Sequence, residues 1–360
     1  MSKKLSLYSN CLLVKGASRS VICDTQQQIL HYIPNSLYNL LNEQLGKSVE
    51  DIKINYSSQY DEIIDEYISF LEEKNCVFYT DSPDSFPKMS LDWHYPHKIS
   101  NAILDYDSLS KYNIEKVLEE LDELRCKSIQ IRFFSEVDKK KILSILQFLD
   151  KIKSMITSVE IILKNSDWTT PPNIKLLFLN NLRLTSFSVH SSNKNEIIEF
   201  GSKYAVYTDQ IIDSEYHCGI ISKNYFSINL TTFSEAFNKN SCLNNKISVD
   251  KRGKIKNCPS MSEDFGTVGL INLKDVIEQP KFNTIWNVTK DQIHVCKDCE
   301  FRYVCTDCRA YVEQPNEINS KPLKCGYNPY TTEWSDWSKN ELKTKAVEHY
   351  GLRELNNFKN

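Results

Sequence analysis

Seven of the chain's twelve cysteines fall between residues 242 and 325: Cys242, Cys258, Cys296, Cys299, Cys305, Cys308 and Cys325. Four of them form the run C-x2-C-x5-C-x2-C from Cys296 to Cys308. Thiols two residues apart can turn toward one point without straining the backbone, and this spacing serves zinc and iron–sulfur centres alike. The surrounding stretch, residues 236–335, has little apolar periodicity. A fold there draws on bound metal for the cohesion that a hydrophobic core would otherwise supply.

At 360 residues the chain is too long for one ordinary core, which predicts two or three domains. Its 41% hydrophobic and 25% charged content fit a water-soluble globular class. A net charge of −3 argues against a general binder of nucleic acid or of membrane surfaces. No apolar run has the length of a bilayer span. The opening Met-Ser-Lys-Lys-Leu-Ser-Leu lacks the apolar core of an export signal. The expectation is a cytoplasmic protein with reduced thiols, whose cysteines serve as ligands or buried apolar residues rather than disulfides.

Three segments and a tail are expected. In residues 1–85, Leu12–Val14, Ser20–Cys23 and Gln28–Ile33 read as strands. Pro34 stops extension, and helices follow through Leu40 and Leu41, over Ser48–Lys53 and over Tyr60–Glu73. Cys76–Thr80 reads as a closing strand. Three strands followed by three helices predict a winged-helix-like module. Residues 82–92, with two prolines, read as a linker. Residues 94–235 alternate strands (Ile99–Leu104, Ser128–Phe134, Ser158–Leu163, Leu184–Val189, Tyr204–Thr208, Tyr225–Leu230) with helices over Asn113–Leu124, Lys139–Asp150 and Glu196–Phe200. Repeated strand–helix units predict a parallel sheet, here a partial (β/α)6-type barrel. The α/β chain then ends in the cysteine-rich domain of 236–335 and a partly helical tail, 336–360.

The pattern Cys242-x10-Gly253-x4-Cys258, then C-x2-C-x5-C, Cys308 and Cys325, resembles the SPASM domain that follows a radical SAM barrel in peptide-modifying enzymes. The run from Asp250 to Pro259 resembles that domain's Asp-x-x-Gly-x-x-x-x-Cys-Pro hairpin, in which Gly253 takes the positive-φ position. One departure is visible: two residues, not three, separate Cys305 from Cys308. The resemblance implies two auxiliary 4Fe–4S clusters, with Cys242, Cys258 and Cys308 on the first and Cys296, Cys299, Cys305 and Cys325 on the second. Where some members place an eighth cysteine this chain has Ala236, so the first cluster lacks a fourth ligand in the pattern. Cys218 is the candidate outside it. Zinc is the alternative metal.

Nearly the whole chain is similar to SPASM-domain peptide maturases of grasp-with-spasm systems. That resemblance implies an accessory protein in the biosynthesis of a ribosomally made, modified peptide, with a precursor peptide and an ATP-grasp ligase as partners, and with neither nucleic acid nor membrane. The N-terminal module resembles a leader-peptide recognition element. The leader would add beside the strand at Gln28, Leu30 and Tyr32 and against the helix face of Ile64, Tyr67, Ile68 and Leu71. The alternatives are an iron–sulfur redox enzyme acting on the peptide without S-adenosylmethionine, and a zinc-stabilised binding protein.

The radical chemistry itself lacks its ligands. The loop after the first barrel strand reads Asp105-Tyr106-Asp107-Ser108-Leu109-Ser110 where the family carries C-x3-C-x2-C. The glycine-rich stretch after the second strand is replaced by Ile131-Arg132-Phe133-Phe134-Ser135-Glu136. No residues are therefore assigned to S-adenosylmethionine, and the middle segment reads as a degenerate radical SAM barrel with no catalytic residue identified. His294 is a candidate hydrogen-bond donor to cluster sulfur. Tyr327, Tyr330 and Trp334 are candidates to shield a cluster from solvent.

Overall fold

Residues 3–352 are described in a computed structural model. The N-terminal module runs β1 (Lys4–Leu7), β2 (Cys11–Val14), β3 (Ser20–Asp24), β4 (Ile29–Ile33), α1 (Asn35–Gln44), α2 (Val49–Asn55), α3 (Asp61–Glu73) and β5 (Val77–Thr80). Pro34 ends β4 and precedes the first turn of α1, as its fixed φ and missing N–H require. Ser48 caps α2, its hydroxyl accepting the Asp51 N–H at 3.1 Å. The antiparallel sheet β2-β3-β4 has alternating faces. Ile22 points into the module core with Leu5, Leu37, Leu41 and Leu71, while Val21 and Cys23 point out against Phe301, Tyr303 and Val304. Every residue of β3 is buried for that reason.

The middle of the chain continues β6 (Asn101–Tyr106), α4 (Ile114–Glu123), β7 (Ser128–Phe133), α5 (Lys139–Lys151), β8 (Ser158–Lys164), α6 (Pro171–Asn180), β9 (Leu184–His190), β10 (Glu196–Phe200), β11 (Lys203–Tyr207), α7 (Leu230–Asn238), β12 (Lys246–Val249) and β13 (Ile255–Lys256). Eight strands form one sheet in the order β10-β11-β9-β8-β7-β6-β12-β13. The six from β11 to β12 are parallel to their neighbours, while β10 and β13 are antiparallel edges. The fold is thus mixed α/β around a large, mostly parallel sheet. Helices α4 and α5 bury Val117, Leu121, Ile145 and Leu149 against Leu104, Ile129, Ile131 and Val159.

Three expectations for this segment are corrected. The edges β10 and β13 do not pair and the sheet is open; four helices, α4 to α7, separate its parallel strands, but the strand β10 stands between β9 and β11 where a helix was expected. Glu196–Phe200 is a strand, not a helix. It folds back on β11 through Gly201 and Ser202, a two-residue turn that needs the positive φ of Gly201. Tyr225–Leu230 is not a strand: the Asn229 side chain accepts the Thr232 N–H at 2.8 Å and starts α7. The sheet also runs past residue 235, since β12, from the cysteine-rich segment, pairs with β6.

The rest of the chain holds two-residue strands and short helical turns, the last helix being Thr344–His349. Part of the tail, 353–360, lies outside the described residues. Among the described residues no helix is long and apolar enough to cross a membrane.

Candidate metal centre

The β12–β13 hairpin carries the first cysteines into place. Asp250 Oδ1 accepts the N–H groups of Arg252 and Lys254, each at 2.9 Å, and Gly253 holds φ +79°. The turn sends the chain through Cys258, while Cys242 precedes β12. Around them the thiols sort by electrostatic reach into two sets. The charges of Cys218, Cys242 and Cys258 all bear on Cys308, and Cys218 and Cys242 bear on Cys258. Separately, Cys305 and Cys325 bear on Cys296, Cys296 and Cys305 on Cys299, and Cys325 on Cys305. Cys305 and Cys308, two residues apart, belong to different sets.

The second set lines one cavity of about 30 Å³, walled by Phe226, Phe301, Tyr327 and Trp334. Ring centroids of Phe301 and Tyr327 are 5.0 Å apart, and those of Tyr327 and Trp334 are 4.9 Å apart. Two of the three aromatic residues singled out in the sequence therefore close this site. Tyr330 does not: it is exposed, and its hydroxyl donates to Asp298 at 2.7 Å. His294 is also exposed and is not among the cavity residues.

Burial pushes the Cys258 and Cys296 thiols up to about 12, and raises Cys242, Cys299, Cys305 and Cys308 as well. Without a cation such groups stay protonated; a bound metal reverses that preference and displaces the protons. Several features already favour negative sulfur. The Phe301 N–H donates to Cys299 Sγ at 3.4 Å, and backbone groups of Ser260 and Tyr311 bond the Cys258 and Cys308 sulfurs. Lys246 Nζ donates to Cys242 Sγ at 3.6 Å.

Three lysines are buried outright, Lys290, Lys324 and Lys343. Burial opposes the Lys290 charge, but Cys305 and Cys296 outweigh it and raise its pKa. Burial lowers Lys324 to about 8, against the opposing pull of Cys308, Cys218 and Cys258. Lys343 Nζ donates to Cys325 O at 2.7 Å and pairs with Glu313 at 2.9 Å. Buried ammonium groups need negative partners. Sequence reasoning missed them because lysine has no local pattern that marks it as internal.

Among the described residues, no three His, Cys, Asp or Glu side chains stand at metal-coordinating distance. The second set is walled, but neither set's sulfurs are drawn to a single point. Their donor chemistry fits an iron–sulfur cluster or zinc: thiol ligands in groups, a cavity shared by the second set, amide donors to sulfur and compensating cations. The remaining cysteines are placed elsewhere. Cys11 and Cys76 lie in the module core, Cys23 faces the aromatic residues around Phe301, and Cys126 is buried under the large sheet.

The sheet face below the first set holds an ion pair. Arg132 on β7 donates to both oxygens of its cross-strand neighbour Asp105 on β6, at 2.6 and 2.7 Å, and both side chains are buried. Arg132 lies within electrostatic reach of Cys218 and Cys258. The pair ties the ends of β6 and β7 to each other.

The expected peptide surface is only partly exposed. Ile64, Ile68 and Leu71 are buried in the module's own core, because the apolar stripe of α3 is the face that packs it. Tyr67 lies at the edge, its hydroxyl 2.7 Å from Ser36 Oγ. Leu30 packs toward Phe301, and Tyr32 lies edge-on to Phe301 beneath the Arg19 guanidinium, 4.1 Å from the ring. Gln28 leads into β4 with φ 60°. A groove of about 300 Å³ between α1 and α3 is lined by Ile64 and Tyr67 of the expected set together with Leu40, Tyr56, Tyr60 and Ile63. Of the added residues, Ile63 was legible only as a second apolar flank of α3, and Leu40 and Tyr56 come from other elements.

The module is docked on the second cysteine set. Ala17 N–H donates to Asp298 O at 2.8 Å, Arg302 donates to Lys15 O at 2.5 Å, and Arg19 Nε donates to the buried Glu300 carboxylate at 2.8 Å. No family model matches the chain, and a search of curated proteins finds no match.

Proposed function

We propose that the protein is an accessory peptide-maturation protein. It holds the leader of a ribosomally made precursor on its N-terminal module and carries two thiolate-bound metal centres, 4Fe–4S clusters in the reading that the SPASM-like spacing favours, beside an ATP-grasp ligase. The observation that carries it is a pairing within the module. Among the described residues strand β4 is paired on one side only, and the α1–α3 groove includes Ser36, just after the chain leaves β4. Unpaired strand edges bind extended peptides through the backbone, and an adjacent apolar groove reads their side chains. Tyr60 and Ile63 are about half exposed there, and Tyr60 stands edge-on to Tyr56.

When bound, the clusters supply cohesion and a site for one-electron transfer. The chain's own residues set the geometry. The Arg19–Glu300 pair and the Ala17–Asp298 bond seat the module on the loop that bears Cys296 and Cys299. A leader held on the module is thereby fixed relative to the second centre. The Asp105–Arg132 pair occupies the strand ends that a radical SAM site would need, which supports an accessory role over radical generation.

The test is a binding titration with the labelled leader of the short peptide encoded beside this gene, against a scrambled sequence. The matched leader binds, and Ile63→Asp weakens it by about tenfold or more, roughly 1.4 kcal/mol. Equal binding of matched and scrambled leaders would sink the reading.

A further inference from the structure

The linker between the large sheet and the cysteine region carries a thiol that the seven-cysteine spacing leaves out. Cys218 follows a single helical turn, Glu215–His217. Its neighbour Gly219 has φ +83°, and a Cβ placed there would stand 2.8 Å from Cys308 Sγ. Only glycine allows the linker to pass this close to that sulfur. The linker is fastened on both sides. The buried Lys324 ammonium donates to Tyr216 O and, at 2.7 Å, to Cys218 O. Ile221 N–H then donates to Lys324 O at 3.2 Å, and Ile221 bridges in parallel to Cys325. With Gly219 against the Cys308 sulfur and the Cys218 carbonyl held by Lys324, Cys218 is fixed next in the chain to a direct neighbour of the first set.

We infer that Cys218 is the fourth thiolate of the first centre, and that this centre is closed, with no coordination position left for a substrate or small molecule. The inference rests on the reading of the cysteines as metal ligands. Three thiolates would leave an open iron; four define a centre that braces the fold or passes electrons. The ligand comes from outside the cysteine-rich segment, so the centre ties the linker to that segment. The same linker forms one wall of a cavity of about 660 Å³ with Tyr216, His217, Ile221, Lys324, Trp334 and Trp337. Binding at Cys218 therefore also sets the shape of that cavity.

The test compares anaerobically reconstituted full-length protein with Cys218→Ala and Cys242→Ala, by iron, sulfide and zinc content and by electron paramagnetic resonance of the reduced form. Cyanide serves as the probe for an open iron. In the wild type the signal is unchanged by cyanide. Cys218→Ala either loses the metal of one centre or keeps it with a cyanide-shifted signal, while the second centre persists as the internal control for folding. A second measurement uses the wild type alone: iodoacetamide labels the partly exposed Cys218 only after the metal is stripped. A cyanide-sensitive wild type, a Cys218→Ala protein with unchanged metal and cyanide-insensitive signal, or equal labelling of Cys218 before and after stripping overturns the inference. If Cys218→Ala loses both centres, the labelling decides. If the wild type takes up no metal, or Cys242→Ala also leaves its metal unchanged, the metal reading itself fails along with it.

Discussion

Residues 101–207 and residues 257–352 differ in what they place inside. The first region buries Ala102, Leu104, Ile129, Ile131, Val159 and Ile161 in register across neighbouring parallel strands, so its apolar face is continuous. Each of the Leu, Ile and Val side chains adds roughly 1.5–3 kcal/mol on burial, and the helices above need only an apolar stripe. The second region has only helices of six residues or fewer, single turns and two-residue strands, and it buries lysines, aspartate and thiols alongside its aromatic residues. Groups like these cohere only when charges are matched and sulfur is bound. One region is held by area, the other by specific pairings, and the two should fail under different treatments.

The largest expected effect follows from metal removal. Chelation of the reduced protein should open Cys296–Cys325 to hydrogen exchange, while β6 to β9 stay protected; mass spectrometry of the exchanged peptides measures both. Equal protection of the two regions after chelation would break the comparison. Next comes Asp105→Ala, which leaves Arg132 buried without its carboxylate. The expected loss is about 3–5 kcal/mol in urea unfolding, with Asp105→Leu/Arg132→Met costing less than the single change. A loss below about 1 kcal/mol would show that even the apolar region does not depend on its one buried pair. The smallest effect is expected for Arg19→Ala, which strips a donor from buried Glu300 but leaves the Tyr327 hydroxyl bond at 2.5 Å. About 1–3 kcal/mol of docking should be lost, seen as faster proteolysis in the 82–92 linker with metal content unchanged. Unchanged cleavage would mean that Ala17 and Arg302 hold the module without it.

The elements that could be read from the chain were those with local signals. Ser48, Pro34 and the period of Ile64, Ile68 and Leu71 mark the N-terminal helices to within a residue or two. The alternation in Ser128–Phe133 and Ser158–Lys164 marks two central strands. The misread elements had competing local signals. Glu196–Phe200 carries both helix-forming glutamates and β-branched isoleucines, and its pairing with Lys203–Tyr207 decided the outcome. β1 was missed because its partner, β5, lies some seventy residues away. The helix face of Ile64, Ile68 and Leu71 was read as a binding surface because a stripe alone does not say which neighbour covers it.

The sequence by itself determined the candidate donors: cysteine pairs two residues apart, a glycine turn before Cys258, and no cysteine in the loop after β6. Spacing and periodicity are properties of neighbours along the chain, so these could be read directly. Tertiary structure alone decided the company those donors keep. It parted Cys305 from Cys308, brought Gly219, the neighbour of Cys218, against Cys308, and drew Lys290 and Lys324 inside beside the thiols. Such meetings depend on which loops close over the sheet, and no local pattern in the chain records them.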